Sequence, residues 1–202
     1  MELGTGLLFA LSSWHTGLLF ALSSWHFEGG VQFAVIVFYG SLFLVIGIID
    51  LEHQLILNKI TYPAIAVALV ISVFQPPPGL IDLNLTWPWQ GIINGVMGAA
   101  MGLVLILTVY YLYLWLRKLE GFGGGDFKLV ILMGLVTGSE MIIVAITLGA
   151  LIGGVVGIIL LLTKKKKRLD YLPAGTFLAI GTIITLFSGS DILNWYLGLL
   201  RF

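Results

Sequence analysis

The chain consists of long apolar stretches separated by short polar segments. A helix of about twenty apolar residues is long enough to cross the roughly 30 Å hydrocarbon core of a bilayer. Seven such helices are predicted, the fifth of them short, at residues 4–26, 31–50, 59–75, 90–117, 126–138, 140–163 and 173–189. Residues 192–202 are expected to lie at the membrane surface or to add a partial helix. The pattern therefore predicts an all-α, polytopic transmembrane helical bundle with about seven membrane helices.

Composition agrees with this pattern and excludes several kinds of chemistry. The 202 residues are 59% hydrophobic and have a mean hydropathy of +1.07, whereas a soluble domain averages about 45 to 50% apolar residues. Cysteine is absent, which excludes disulfides, thiolate zinc sites and cysteine nucleophiles. Three histidines are too few for a histidine-rich metal site. We expect one membrane-embedded domain over residues 1–202, surrounded by lipid, with no metal, no cofactor and no nucleic-acid partner.

The distribution of basic residues predicts the orientation of the chain. A cytoplasmic N-terminus places nine of the ten Lys and Arg residues on the cytoplasmic side and leaves only Arg201 outside. The run KKKKR at 164–168 is interpreted as a topology determinant, with attraction to anionic lipid or to a substrate as the alternative. The same threading brings Asp50 and Asp126 to the cytoplasmic face.

Two sequence repeats bear on the helices. TGLLFALSSWH at 5–15 recurs without change at 16–26, which indicates a duplication, natural or engineered, within the first helix. One copy alone is too short to span a bilayer, and no catalytic role is expected for its histidines. Glycines spaced four apart in the fourth and sixth predicted helices favour close packing of helix backbones in a compact bundle.

Two aspartates are the main candidates for chemistry. Asp50 ends an apolar run, and Asp126 begins another after three glycines in EGFGGGDFK at 120–128. Ionisable groups at a membrane boundary are costly and are functional candidates by default. Gly123, Gly124 and Gly125 would let the backbone adopt unusual conformations or approach a neighbour closely. The alternative is a flexible turn in which Asp126 only caps its helix.

IDLEHQ at 49–54 together with EGFGGGDFK resembles the two motifs of the type IV prepilin peptidases. These are membrane aspartyl proteases of the GxGD class, which also includes archaeal preflagellin peptidases and presenilin. The resemblance extends from about residue 2 to residue 188. It includes the small residues of 149–157 and YLPAGTFLAI at 171–180, where the family tends to have a Pro-Phe-Gly-Pro-like segment before its last helix.

The resemblance implies that Asp50 and Asp126 are a catalytic pair that shares one proton and acts as general base and general acid. It implies cleavage of the short basic leader of prepilin or pseudopilin precursors at the cytoplasmic face of the bacterial inner membrane. The remaining candidates for the substrate-binding or active-site loop are Gly123, Gly124, Gly125, Lys128 and His53. Lys128 is a candidate for oxyanion stabilisation, although a topology charge is the favoured interpretation.

The chain departs from the family pattern in two places. Leu57 and Asn58 occupy positions where family members commonly have Pro-Asp, so a different local turn is expected. Larger bacterial members carry a cytoplasmic domain with paired CxxC motifs linked to methylation of the new N-terminus, and this chain has no cysteine. The resemblance therefore implies a protease core alone.

Two other functions fit the same residues. A transporter or channel could use Asp50 and Asp126 to bind a cation or to relay protons, although both lie at one face and no inverted repeat is visible. A noncatalytic assembly subunit could use the glycine steps to bind partners. Neither the particular prepilin nor the oligomeric state follows from the sequence.

Overall fold

The computed structural model describes residues 30–74, 89–117, 123–163 and 173–200. Within these ranges the chain forms helices and no strand, as the apolar pattern predicts. The five elements are α1 (Gly30–His53), α2 (Asn58–Phe74), α3 (Trp89–Arg117), α4 (Gly124–Leu162) and α5 (Ala174–Leu200). The predicted first helix with its duplication, the loop before Trp89 and the KKKKR run lie outside the described residues.

Four of the described helices, α1, α3, α4 and α5, are long and apolar enough to cross a membrane. The α2 helix is also apolar, but it has only 17 residues. The all-α class and the multi-pass membrane character are therefore confirmed, and the count of about seven membrane helices is not confirmed by the described part of the chain.

The α4 helix is broken at Gly138, where φ is 79° and ψ is 178°. Val130 precedes this break in the chain and Ile142 follows it, yet both side chains reach the same glycine. A side-chain carbon of each lies 2.9 Å from the position that a Cβ would occupy on Gly102. In a straight helix two residues twelve apart would be separated by about 18 Å along the axis. The chain therefore reverses direction at Gly138, and α4 comprises a first arm (124–138) and a second arm (139–162). The predicted separation between 138 and 140 is confirmed.

A buried amide stabilises the reversal. The side-chain Oδ1 of Asn94, on α3, accepts hydrogen bonds from the Ser139 backbone N–H at 3.0 Å and from the Ser139 hydroxyl at 2.8 Å. Ser139 is 2% exposed and Asn94 is 8% exposed. Since the first N–H groups of a helix have no partner within that helix, and lipid offers none, a side chain from α3 supplies the acceptor.

Small residues allow the helices to pack with their backbones in contact. A Cβ on Gly98 would overlap the Gly134 carbonyl oxygen and would lie 2.6 Å from the Gly138 carbonyl carbon. A Cβ on Gly149 would lie 2.9 Å from the carbonyl oxygen of Phe177. The prediction of close packing at the glycine steps is confirmed at these positions. The core between the helices includes Phe43, Leu129, Leu132, Met133 and Ile142, each fully buried.

The last helix is longer than predicted, because α5 continues through Gly189 and Asp191 to Leu200. Residues 192–200 are helical, as the expectation of a partial helix had it, but they continue α5 and do not form a separate element. Lipid supplies no partner for freed backbone groups, and a short polar segment does not by itself interrupt a helix. The start of α5 packs on the end of α1, since Thr176 contacts Gly47. The C-terminal end of α1 and the N-terminal ends of α4 and α5 consequently meet at one end of the bundle.

Candidate active site

Asp50 lies in the last turn of α1 and caps a different helix. The helix ends just after it, at His53. The Gln54 N–H donates to the Asp50 carbonyl oxygen at 2.8 Å, and Gln54 adopts a left-handed φ of 52°. The Asp50 side chain is 3% exposed. Its Oδ2 accepts from the backbone N–H of Thr176 at 2.7 Å and from the Thr176 hydroxyl at 3.1 Å. The carboxyl therefore lies at the positive end of the α5 dipole.

Asp126 lies in the first turn of α4 and is also 3% exposed. Its Oδ2 accepts from the backbone N–H of Gly123 at 2.9 Å, and its own backbone N–H donates to the Gly123 carbonyl at 3.1 Å. Asp126 therefore caps its own helix, as the alternative interpretation of this segment predicts. Both carboxyl groups are thus held by a backbone N–H at a helix N-terminus, one by its own helix and one by a neighbour.

Of the two glycines that precede Asp126 within α4, only Gly125 is required for a close approach. A Cβ on Gly125 would lie 2.9 Å from the Cβ of Ile56, whereas a Cβ on Gly124 would meet nothing within 4 Å. Gly124 and Gly125 are both helical, so the expectation of unusual backbone conformations is not met at either residue. Ile56 also lies near Gly175, where a Cβ would be 3.1 Å from its Cδ1. The starts of α4 and α5 therefore meet on the Ile56 side chain.

Asp50 and Asp126 line one cavity of about 320 Å³. The connection between α1 and α2, the glycine segment and the first turn of α4 form the walls. The lining residues are Asp50, Gln54, Leu55, Ile56, Asn58, Gly123, Gly124, Gly125, Asp126 and Lys128. Six of the seven residues predicted for the site therefore line the same cavity.

The seventh predicted residue, His53, does not line this cavity. Its side chain is 65% exposed, and its Nε2 lies 3.9 Å from the nearer carboxylate oxygen of Glu52. A role for His53 in substrate binding stays a prediction, with the residue placed at the rim of the bundle.

Lys128 is oriented by two residues of α2. Its Nζ donates to the Asn58 side-chain oxygen at 2.7 Å and lies 5.1 Å from the centroid of the Tyr62 ring. Asn58 stands at a position where family members commonly have an aspartate. Because the Asn58 side chain is a neutral amide, its hydrogen bond to Lys128 does not neutralise the ammonium charge. The orientation brings a positive charge to the wall of the cavity that contains both carboxyl groups.

Sequence reasoning did not find Thr176, Gly175 or Ile56. The segment YLPAGTFLAI contributes to the family resemblance, but nothing in it marks the threonine as a partner of Asp50. Asn58 was noted as a departure from the family pattern, and its contact with Lys128 required the structure. In the described part of the chain no cluster of three or more His, Asp or Glu side chains is arranged as metal ligands.

The fold and these carboxyl groups define a polytopic membrane protein with a buried acidic pair at one end of a helical bundle. The model of the type IV leader peptidase family matches residues 36–158, a range that includes Asp50 and Asp126. This match covers more than half of the chain, and the chain belongs to the type IV leader peptidase family.

Three relatives that match 74% to 100% of the chain are each named prepilin leader peptidase/N-methyltransferase. The protein from Xanthomonas campestris pv. campestris is 36% identical over 74% of this chain and 48% of its own length. The proteins from Stutzerimonas stutzeri and Pseudomonas aeruginosa are 29% and 27% identical, over 100% and 98% of this chain and 62% and 60% of their own lengths. The chain thus spans about half to three fifths of the length of these curated relatives. No solved structure matches it.

Proposed function

We propose that this protein is a membrane aspartyl endopeptidase that removes the short basic leader of type IV prepilin or pseudopilin precursors. Cleavage takes place at the cytoplasmic face of the bacterial inner membrane. The observation that carries the proposal is the meeting of Asp50 and Asp126 in one cavity, although they are 76 residues apart and belong to different helices. The names of the relatives support the leader of a prepilin as the substrate.

The proposed reaction needs no group beyond the two carboxyls and a water molecule. Two buried carboxyl groups that interact electrostatically share one proton more readily than they carry two charges. The ionised member takes a proton from water while the water oxygen bonds to the carbonyl carbon of the leader. The protonated member donates its proton to the carbonyl oxygen, and a tetrahedral gem-diol forms.

The second half of the reaction restores the pair. The carbon–nitrogen bond breaks, and the leaving amine takes the proton that the first carboxyl removed from water. The gem-diol returns its proton to the second carboxyl as the leader's new carboxylic acid forms. Lys128, at the cavity wall, adds a positive charge that would favour the oxygen on which negative charge develops.

The cavity position fits a substrate that enters from the aqueous side of the membrane. A prepilin resembles a single apolar helix with a hydrophilic leader, and the scissile bond would lie where α1 ends and α4 begins. A cation transporter using the same acids would be expected to hold them near the middle of the membrane. Their position at the end of the bundle therefore favours the peptidase over the transporter.

The test is cleavage of a purified prepilin by the full chain in detergent or lipid, followed by mass spectrometry of the products. Asp50→Asn and Asp126→Asn should each lower cleavage by at least about a hundredfold, since neither amide can transfer a proton. Glu52→Gln is the matched control, because this exposed carboxyl lies near Asp50 on the same helix. The pH profile should be bell-shaped, and chelators should leave the rate unchanged.

Two results would contradict the proposal. One is cleavage at the wild-type rate by the doubly substituted Asp50→Asn, Asp126→Asn protein, shown to be free of host peptidase. The other is ion flux in proteoliposomes that depends on both aspartates, combined with no cleavage of any prepilin offered. The first result excludes the aspartyl mechanism, and the second favours the transporter.

A further inference from the structure

The Thr176 hydroxyl lies between two acceptors. Its Oγ1 is 2.9 Å from the Gly47 carbonyl oxygen and 3.1 Å from the Asp50 Oδ2. A hydroxyl has one hydrogen to donate and lone pairs that accept. It can therefore donate to only one of these oxygens at a time. The other oxygen then receives no hydrogen bond from the hydroxyl.

The backbone of Thr176 makes a hydrogen bond that does not depend on the hydroxyl. Its N–H donates to the same Oδ2 at 2.7 Å, and an N–H can only donate. The Asp50 carboxyl thus has one fixed donor and one group beside it that can either donate or accept. Neither contact uses Oδ1, and Thr176 is not among the residues that line the cavity.

We infer that Thr176 is a positioning residue whose hydroxyl changes partner as Asp50 gains and loses its proton. While Asp50 is ionised, the hydroxyl donates to Oδ2. After Asp50 has taken a proton from water on Oδ1, the oxygen that neither Thr176 contact uses, Oδ2 no longer carries negative charge, and the hydroxyl donates to the Gly47 carbonyl instead. Thr176 keeps its own hydrogen throughout, so the balance of the proposed reaction is unchanged. The inference rests on the proposed function and names Asp50 as the general base.

Among the described residues, the donors to the Asp50 carboxyl come from Thr176. The ionisable side chains that share its cavity are Asp126 and Lys128, both from α4. Glu52 and His53 follow on its own helix and are exposed, and Lys59 on α2 is exposed as well. The first turn of α5 has no ionisable side chain. A hydroxyl that responds to the proton on Asp50 is therefore supplied by Thr176.

The test compares three variants of the full chain in the prepilin cleavage assay. Thr176→Val removes the hydroxyl and keeps the branched shape, and Thr176→Ser keeps the hydroxyl. The matched control is Thr182→Val on the same helix, because the Thr182 hydroxyl is fully buried and donates only to the Leu178 carbonyl at 2.8 Å. Melting temperatures in detergent are measured for all three.

Thr176→Val should lower kcat by roughly 10- to 100-fold, the range expected for a lost hydrogen bond to a charged group. KM should stay near the wild-type value, since Thr176 does not line the cavity. The acidic limb of the pH profile should move to higher pH by roughly 1 to 2 units, because ionised Asp50 loses a donor. Thr176→Ser should restore both kcat and the profile, and Thr182→Val should resemble the wild type.

The inference is overturned if Thr176→Val cleaves with the wild-type kcat and pH profile, or if Thr176→Ser is as impaired as Thr176→Val. A change in the pH profile of Thr182→Val equal to that of Thr176→Val would also overturn it. If Thr176→Val lowers the melting temperature more than Thr182→Val does, Thr176→Ala replaces Thr176→Val. Comparing Thr176→Ala with Thr176→Ser again tests the loss of the hydroxyl. Asp50→Asn and Asp126→Asn are assayed in parallel. If they are inactive while Thr176→Val is normal, only this inference fails, and if they are active, the proposed function fails.

Discussion

Gly175 offers a way to displace Asp50 without changing any ionisable group. An alanine at this position would place its Cβ 2.9 Å from the Asp50 Oδ2 and 3.0 Å from its Cγ, where ordinary contact begins at 3.4 Å. The overlap is therefore about 0.5 Å. Oδ2 is the oxygen held by both donors of Thr176, so the carboxyl cannot move away without lengthening at least one of these hydrogen bonds.

We expect Gly175→Ala to lower the rate of cleavage while the bundle stays folded. Misplacement of a catalytic group by about 1 Å can cost roughly a hundredfold in rate, so a shift of half that size should lower kcat by about tenfold. The steric cost of overpacking, about 1 to 3 kcal/mol, is partly offset because alanine favours the helix over glycine by up to about 1 kcal/mol. The free energy of unfolding should therefore change by less than about 2 kcal/mol.

The assay measures kcat for prepilin cleavage and the melting temperature of the same detergent preparation. Gly198→Ala is the matched control, because it lies on the same helix and a Cβ there would meet nothing within 4 Å. A Gly175→Ala protein that cleaves at the wild-type rate would refute the reasoning, since Asp50 would then tolerate the displacement. A fall in activity that only accompanies unfolding of the preparation would refute it as well.

Three further predictions concern packing and topology. Gly98→Ala should lower the free energy of unfolding by about 3 kcal/mol, because its Cβ would overlap the backbone at the α4 reversal. Gly154→Ala is the control and should leave stability unchanged, because a Cβ there would meet nothing within 4 Å. Equal melting temperatures for the two variants would contradict this packing. The chain lacks cysteine, so single cysteines can be introduced at Gly79 and Lys166. The cysteine at 79 should be labelled from outside the cell, and the cysteine at 166 should be labelled only after permeabilisation. Labelling of both from the same side would overturn the orientation. Deletion of residues 5–15 should reduce insertion or stability, because about a dozen apolar residues cannot span the bilayer, and unchanged orientation and melting would show that the duplicated turns are dispensable.

The sequence alone determined the class of the protein and the approximate positions of its helices. Lipid offers no hydrogen-bond partners, so long apolar stretches must become helices, and their approximate bounds can be read from the chain, although α5 extends to Leu200 instead of ending at 189. The predicted helix bounds separated 126–138 from 140–163, where the structure breaks α4 at Gly138. The two motifs singled out Asp50 and Asp126 through their resemblance to a family.

Only the tertiary structure decided which faces of the helices meet and what surrounds each carboxyl. The interior of the bundle and the lipid are both apolar, so the residues that face a neighbour do not differ in polarity from those that face the membrane. Phe43 is fully buried on α1, for example, while Phe38 on the same helix is 45% exposed. The contact of Thr176 with Asp50 joins residues 126 apart in the chain and depends on the rotation of α5 about its axis. That rotation is set by glycines packed against backbone, such as Gly149 against Phe177. It is a property of the assembled bundle and cannot be read from any one segment.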